Sequence, residues 1–347
     1  MSDLERIVAK LKKKYGTAEI ASERPDPKDY ISTGNLALDL CLEGGIAFGY
    51  AVSWEGFSGS GKSLMLQMML ADAQKKFDAT GIILDREKAW INKRAEELGI
   101  NTSKIIRVEP EDIPTVKHAE EFLMDVLPSL DKDSYKLIAI DSLSSFMKEG
   151  DKADMGKNAQ NIHNLFRKLI PYLNDKTSLH IANQMTYKIG VMFGDNTTTT
   201  GGEGPKYYTT YRLKLDDRKR IIDLKHGNEV MGNWIKTTVI KTRLGPNMRN
   251  IVFPFYYKAG IPYLGGYLRL LASRGYLQPK NKTEFKSFKS GMLKYNEETV
   301  NEFKVEEFLE KHPELLFKEF PVYNTGFVPE KGEEDYDETD IEMGGEE

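Results

Sequence analysis

Residues 50–64 constrain the fold more than any other stretch, and they read YAVSWEGFSGSGKSL. Gly56, Gly61, Lys62 and Ser63 satisfy the phosphate-loop pattern G-x-x-x-x-G-K-[ST], between a strand-like apolar run and a helix-like run. Glycines let the backbone curl so that its N–H groups face a polyphosphate, and the following helix contributes its N-terminal dipole. The stretch therefore predicts a nucleotide triphosphatase rather than an incidental Gly/Ser turn. The expected nucleotide-binding residues are Gly56, Ser58, Gly59, Ser60, Gly61, Lys62, Ser63 and Leu64.

Strand-like and helix-like segments alternate after this loop. Strands are predicted at 80–85, 104–108, 136–141 and 178–184, and helices at 62–77, 89–98, 116–127 and 156–173. Such alternation produces βαβ units, whose strands run parallel and are buried on both faces. We therefore expect an α/β fold with a mostly parallel, twisted sheet.

The alternation of strand-like and helix-like segments ends after residue 184. Residues 185–204 form a loop too long for a simple connection, a length that usually indicates function or disorder. Strand-rich segments at 207–215, 234–243 and 250–257 predict an antiparallel extension of the sheet. We expect four parts: an N-terminal arm with a basic amphipathic helix that packs on this subunit or on a neighbour (1–29), the triphosphatase core (30–264), a small α/β cap (265–329) and an acidic tail (330–347).

Composition and charge restrict the remaining choices. The 347 residues contain one cysteine, Cys41, which excludes an intrachain disulfide, and we find neither a membrane-length apolar run nor a signal peptide. These features predict a cytoplasmic protein. The chain carries a net charge of −4, but residues 330–347 hold ten acidic residues against one lysine, so the preceding part is basic. That asymmetry indicates either a polyanion partner for which the tail competes or merely a solubilising tail.

Two carboxylates have positions suited to hydrolysis. Asp141 ends the apolar run Leu137–Ile140, where a magnesium-side aspartate is expected, so we predict that Ser63 and Asp141 hold Mg²⁺. Lys62 would reach the β- and γ-phosphates. Glu87 follows the strand 80–85 and is a candidate base that activates water, although an exposed glutamate at a strand end is equally compatible with its position.

Four segments resemble the RecA recombinases: ISTGNLALDL (31–40), GFSGSGKS (56–63), IDS (140–142) and NQMTYKIGVMFGDNTTTTGG (183–202). The resemblance extends to about residue 280. It implies an enzyme that uses ATP and Mg²⁺, forms helical filaments on single-stranded DNA and exchanges strands with homologous double-stranded DNA. The arm 1–29 would then be an oligomerisation arm and 30–264 the ATPase core, and the enzyme would be nucleoid-associated if its source is a bacterium or a phage. A loader or a single-strand-binding protein would be a further partner.

The resemblance also implies roles for individual residues. Glu87 matches the glutamate that activates water, and Gln184 matches the residue that links the γ-phosphate to the DNA-binding loop. Lys206, Lys241 and Arg243 match basic residues that reach ATP from a neighbouring subunit. Lys241 and Arg243 are predicted to alternate on one strand face. The implied DNA-binding residues are Met155, Gly156, Arg167, Lys188, Ile189, Val191, Phe193, Gly201 and Gly202.

Residues 185–204 also suit nucleic acid by their chemistry, because a lysine, several apolar side chains and a run of four threonines (197–200) lie on a glycine-flanked segment. One departure from the family concerns the contact with the adenine ring of the nucleotide. The resemblance places Arg94 beside the nucleotide, where the family has an aromatic residue that stacks on adenine, and Ile91 replaces a neighbouring aspartate.

The basic and aromatic content of the cap favours duplex capture or a solvated face over a small core. Its cations are Arg269, Arg274, Lys280, Lys282, Lys286, Lys289 and Lys294. Two other functions remain open: a hexameric helicase on the same core, and a DNA-binding regulator that does not exchange strands.

Overall fold

The computed structural model describes residues 2–16, 18–20, 26–147, 152–187, 197–199, 202–223, 229–282 and 292–317. Side chains of residues 152–155, 223 and 303 are outside this description, as is the predicted acidic tail. The chain divides into two compact units, Met1–Tyr263 and Leu264–Glu347.

The first unit contains the phosphate loop and most of the regular structure. Its strands are β1 (Tyr30–Ile31), β2 (Ile46–Ala47), β3 (Ala51–Gly56), β4 (Thr80–Asp85), β5 (Ile105–Val108), β6 (Lys136–Asp141), β7 (Thr177–Tyr187), β8 (Thr197–Thr199), β9 (Tyr211–Asp223), β10 (Glu229–Lys241) and β11 (Asn250–Tyr256). Its helices are α1 (Asp3–Tyr15), α2 (Leu36–Cys41), α3 (Lys62–Phe77), α4 (Asn92–Glu97), α5 (Val116–Ser129), α6 (Lys152–Leu169) and α7 (Gly204–Tyr208).

One large sheet organises this unit, with strand order β11-β10-β9-β3-β7-β6-β4-β5 and β8 paired to β7. The pairs from β9 to β5 are parallel, whereas β10 is antiparallel to both of its neighbours, β9 and β11. This arrangement confirms the predicted α/β fold with a mostly parallel sheet. It also places β3, which leads into the phosphate loop, in the interior of the sheet between β7 and β9.

Burial explains why these strands read as continuous apolar runs. Every residue of β3 and of β6 is buried. On one sheet face, Ile138 and Ile181 pack in a cluster with Leu123 of α5 and Phe166 of α6. Because parallel strands covered by helices lose all contact with water, alternation of polar and apolar residues is not required.

Three of the differences from the predicted boundaries affect residues predicted to lie in or beside the functional site. Helix α6 begins at Lys152 rather than at 156, so Gly156 lies inside the helix and not at its predicted start. Strand β7 continues to Tyr187 and pairs with β8, which makes a two-stranded ribbon from both ends of the predicted loop 185–204. Residues 204–208, at the start of the predicted strand 207–215, form the short helix α7, which has Pro205 in its first turn.

Helix α1 is stabilised locally rather than by burial. Ser2 and Glu5 form a reciprocal capping box at its start, and Gly16 ends it. None of its residues is buried, and Leu4 and Ile7 are each 55% exposed. Its apolar face is therefore uncovered within the described residues.

The second unit is small and mixed. It contains α8 (Tyr267–Ser273), α9 (Val305–Lys311) and a sheet of β12 (Gln278–Pro279), β13 (Leu293–Tyr295) and β14 (Glu298–Val300). Half-buried Glu302 accepts the backbone N–H of Arg269 at 2.8 Å near the start of α8, and desolvation of its carboxylate raises the pKa of Glu302 to about 7. Arg269, predicted among the basic residues of the cap, is itself only 7% exposed, which removes it from any DNA-facing surface.

No helix in the described ranges is both long and apolar enough to cross a membrane.

Candidate nucleotide and DNA site

The phosphate loop depends on glycine at three positions. Gly59 and Gly61 have positive φ angles of 79° and 93°, a region that residues with a Cβ rarely adopt. A Cβ on Gly56 would lie 2.6 Å from the carbonyl oxygen of Leu215 on neighbouring β9. Helix α3 begins directly after this loop, and its N-cap, Gly61, provides no side-chain hydrogen bond. The backbone N–H groups of its first turn are thus presented to an anion.

Lys62 is held at the centre of the loop. Its Nζ donates to the carbonyl oxygen of Phe57 at 2.8 Å, and the residue is 9% exposed. Burial lowers the pKa of Lys62, while the nearby charges of Asp141 and Glu87 act in the opposite direction. Among the described residues, the buried hydroxyl of Ser60 finds no hydrogen-bond partner. A phosphate oxygen would satisfy both the hydroxyl and the ammonium, so the loop fits a nucleoside triphosphate.

Asp141 lies at the end of β6 beside the first turn of α3. The hydroxyl of Ser63 hydrogen-bonds the carboxylate of Asp141, and this bond lowers the pKa of Asp141. Burial is the larger effect, and together with the charges of Glu87 and Asp85 it raises the pKa of Asp141 to about 6. A hydroxyl and a buried carboxylate are oxygen ligands of the kind that Mg²⁺ takes beside substrate phosphates. Ser63 and Asp141 therefore fit the predicted metal role.

Glu87 lies at the same edge of the sheet, in the loop that follows β4. Its Oε1 accepts a hydrogen bond of 2.6 Å from the hydroxyl of Ser142, which follows Asp141 in the chain. Ser142 also shares a 2.8 Å hydrogen bond with the hydroxyl of Ser144. The candidate base is thus oriented by a serine beside the candidate metal ligand.

Asp85 orients the backbone of this loop, a role that sequence reasoning missed. Its carboxylate accepts the N–H groups of Glu87 and Ala89 at 3.3 and 3.1 Å, and that of Trp90 at 2.9 Å. Asp85 and Asp141 are register partners on adjacent parallel strands. The signal was present in the sequence, because Asp85 ends an apolar run just as Asp141 does.

Gln184 lies beside the beginning of the phosphate loop. On the parallel pair β3 and β7, Gly56 is in register with Gln184 and Glu55 with Asn183. The strand then continues to Tyr187, next to residues 188–196. Gln184 is therefore placed between the loop predicted to bind phosphate and the segment predicted to bind DNA.

A buried ion pair fixes β3 to its other neighbour. Arg212 of β9 donates from Nε and Nη2 to the two carboxylate oxygens of Glu55, at 2.7 and 2.9 Å. Only 2% of the Glu55 side chain and 16% of the Arg212 side chain are exposed. Such bidentate geometry in a buried site restricts the strand that carries the loop.

Two of the three cations predicted to act on a neighbouring subunit lie at α7, because Lys206 belongs to this helix and Lys241 bonds to it. Lys241 Nζ donates to the carbonyl oxygens of Lys206 and Thr209, at 2.8 and 2.7 Å, so within this chain it binds the C-terminal end of α7. Lys206 pairs with Glu203 at 2.7 Å. Arg243 lies beyond the end of β10, in a turn, so the prediction that it alternates with Lys241 on one strand is wrong.

The guanidinium of Arg94 forms hydrogen bonds with backbone carbonyl groups of its own chain. Its Nη1 and Nη2 donate to the carbonyl oxygens of Lys258 and Tyr257, at 2.5 and 3.0 Å, which ties α4 to the segment after β11. Neighbouring Ile91 is 62% exposed. Arg94 is therefore committed to a structural contact at the position where an adenine contact was predicted.

The predicted DNA-binding residues fall into two groups. Gly156 and Arg167 are exposed on α6, and exposed Gly202 has a φ of 67° in the turn before α7. Helices α6 and α7 meet, since Tyr208 hydrogen-bonds His163 at 3.2 Å. The others lie outside the described residues, either as side chains or entirely: Met155, Lys188, Ile189, Val191, Phe193 and Gly201.

Comparison with known proteins agrees with this geometry. The family described as the RecA N-terminal domain matches residues 2–262. The chain is 31% identical to Protein RecA of Gluconobacter oxydans over 324 residues, which cover 90% of this chain and 89% of that protein. It is 30% identical to Protein RecA of Geobacter metallireducens over 342 residues, covering 95% and 96%. The chain therefore belongs to the RecA family.

Proposed function

We propose that this chain is a DNA-dependent ATPase that forms helical filaments on single-stranded DNA and catalyses homologous pairing and strand exchange. One observation carries the proposal: a phosphate loop and two strand-end carboxylates share a sheet edge with Gln184, whose strand leads to residues 188–196. Family membership supports recombinase chemistry, and the arrangement of these residues supports the coupling of that chemistry to DNA.

The proposed ATPase mechanism assigns each residue one task. The N–H groups of the loop and the ammonium of Lys62 bind the phosphates, and Ser63 and Asp141 hold Mg²⁺. Mg²⁺, when bound, neutralises charge on the phosphate oxygens. Glu87, oriented by Ser142, accepts the proton of the attacking water.

The proposed DNA site comprises the exposed face of α6 near Gly156 and Arg167, the turn at Gly202, and the further residues Met155, Lys188, Ile189, Val191, Phe193 and Gly201. Its link to ATP is Gln184. A polar side chain at this position can contact the γ-phosphate and bias the strand that follows it, which is a two-state arrangement that hydrolysis would reverse. Lys206, Lys241 and Arg243 would supply cationic charge across a subunit interface in the filament.

Electron microscopy of the protein with a single-stranded oligonucleotide, ATP and Mg²⁺ tests this proposal. We expect open helical filaments that need both nucleotide and DNA, together with ATP turnover that rises when DNA is added. Closed rings would instead indicate a helicase, and DNA binding without assembly or strand exchange would indicate a regulator. Either result would overturn the proposal.

A further inference from the structure

The phosphate loop makes an aromatic contact with the end of β7. The rings of Phe57 and Tyr187 lie with their centroids 4.9 Å apart and their planes inclined by 31°. Phe57 is the second residue of the loop, and Tyr187 lies three residues after Gln184. The strands are paired as far as Gly56 and Gln184, so the two rings extend the contact beyond the last register pair.

Phe57 is also the residue whose backbone holds Lys62. Its carbonyl oxygen accepts the hydrogen bond from Lys62 Nζ at 2.8 Å. The side chain of Phe57 is thus anchored on β7 while its main chain fixes the ammonium that is to meet the phosphates. A displacement of the ring would move the acceptor of Lys62.

Tyr187 is part of the ribbon formed by β7 and β8. It is in register with Thr197, and Met185 is in register with Thr199. These strands border residues 188–196 on both sides. The ring of Tyr187 therefore moves with the β7–β8 ribbon, whose strands are joined in sequence to the segment proposed to bind DNA.

The ring contact is distinct from the path through Gln184. Side chains alternate along a strand, so residues three apart project to opposite faces. Tyr187 is 66% exposed, and its ring packs on a residue of the phosphate loop rather than in the core. Such a contact can form and break without disturbing the sheet.

We propose that the Phe57–Tyr187 ring pair is a positioning contact through which the β7–β8 ribbon sets the place of Lys62 and thereby the response of hydrolysis to DNA. The inference rests on the proposed function and adds a second connection between DNA and ATP. Both residues are positioning residues, because they act through Lys62 and the strand ends.

A double-mutant cycle tests the contact. The variants are Tyr187→Leu, Phe57→Leu and the double variant, with Tyr187→Phe as the matched control that keeps the ring. The readouts are kcat and KM for ATP with and without saturating single-stranded oligonucleotide, the Kd for a labelled oligonucleotide, and the thermal unfolding temperature.

We expect Tyr187→Leu to lower the ratio of DNA-stimulated to basal kcat by about twofold to tenfold, the range for coupling in aromatic pairs. Tyr187→Phe should retain the wild-type ratio, whereas a purely structural role would show only in the unfolding temperature. The ratio should fall no further in the double variant than in the more affected single variant, because both substitutions remove the same contact.

Two results would overturn the inference while leaving the proposed function intact: full DNA stimulation in Tyr187→Leu, or losses that multiply in the double variant. A wild-type protein without any DNA stimulation would refute the proposed function instead. In that case the same double-mutant cycle, measured as the Kd for ATP, tests the ring contact by itself. If the free-energy changes of the two single variants add up in the double variant, the contact is refuted.

Discussion

Replacing Asp141 should increase stability while abolishing function. The pKa of Asp141 is raised from 3.8 to about 6, mainly by burial and further by Glu87 and Asp85. Because the folded carboxyl binds its proton more tightly than the unfolded one, stability falls as the pH rises between about 4 and about 6. At neutral pH the accumulated penalty is about 3 kcal/mol in the free energy of unfolding.

The substitution Asp141→Asn removes this charge and keeps an acceptor oxygen for Ser63. We expect the free energy of unfolding to rise by about 3 kcal/mol at about pH 7.5 and by roughly half as much at about pH 5. Since 1 kcal/mol shifts the midpoint by about 2–4 °C in domains of this size class, the neutral-pH increase should be about 6–12 °C. Thermal unfolding followed by circular dichroism measures both values.

Asp85→Asn is the matched control, because Asp85 is the register partner of Asp141 and accepts three backbone N–H groups. An amide nitrogen facing one of those donors should lower the free energy of unfolding by about 1–3 kcal/mol. Wild-type protein should also gain stability from ATP with Mg²⁺, whereas Asp141→Asn should gain much less. The reasoning is refuted if Asp141→Asn lowers the midpoint at neutral pH, or if its gain is independent of pH.

Three further outcomes are expected. Glu87→Gln should bind ATP normally but reduce kcat by about 10²-fold or more, because it removes the base and keeps its size; near-wild-type turnover in a steady-state assay would exclude Glu87. Lys241→Ala with Arg243→Ala should keep ATP binding and lose DNA-stimulated hydrolysis; retained stimulation would indicate that one subunit holds the complete site. Removing 330–347 should tighten DNA binding most at low salt, which titrations over a salt series would detect.

The parts of the site that sequence predicted are those encoded locally. The loop 56–63, Asp141 and Glu87 are each recognisable within a few residues, since a glycine-rich turn or a strand-ending carboxylate has a fixed relation to its own element. Their convergence follows from parallel strands, because the carboxyl ends of such strands meet at one edge. The sheet and its buried strands followed from the same alternation.

What sequence could not supply are the partners of long, polar or aromatic side chains. Lys241 binds carbonyl oxygens of residues 206 and 209, and Arg94 binds those of residues 257 and 258, although both were assigned to ligands. Backbone carbonyls carry no sequence signal, so such uses of a cation are invisible before the fold is known. The contact between Phe57 and Tyr187 likewise depends on the register of β3 with β7, which no local pattern specifies.

We expect amide hydrogen exchange to be much slower in β3 than in the phosphate loop that follows it. The amides of β3 are bonded between β7 and β9, so they exchange with solvent deuterium only when the sheet opens as a whole. One residue further, at Phe57, the backbone leaves the sheet, and its amides exchange by small local fluctuations. The boundary falls at Gly56. A nucleotide bound by the loop would slow exchange over residues 57–61 by ordering them directly. It would slow exchange in β3 only by as much as it raises the free energy of unfolding of the whole sheet.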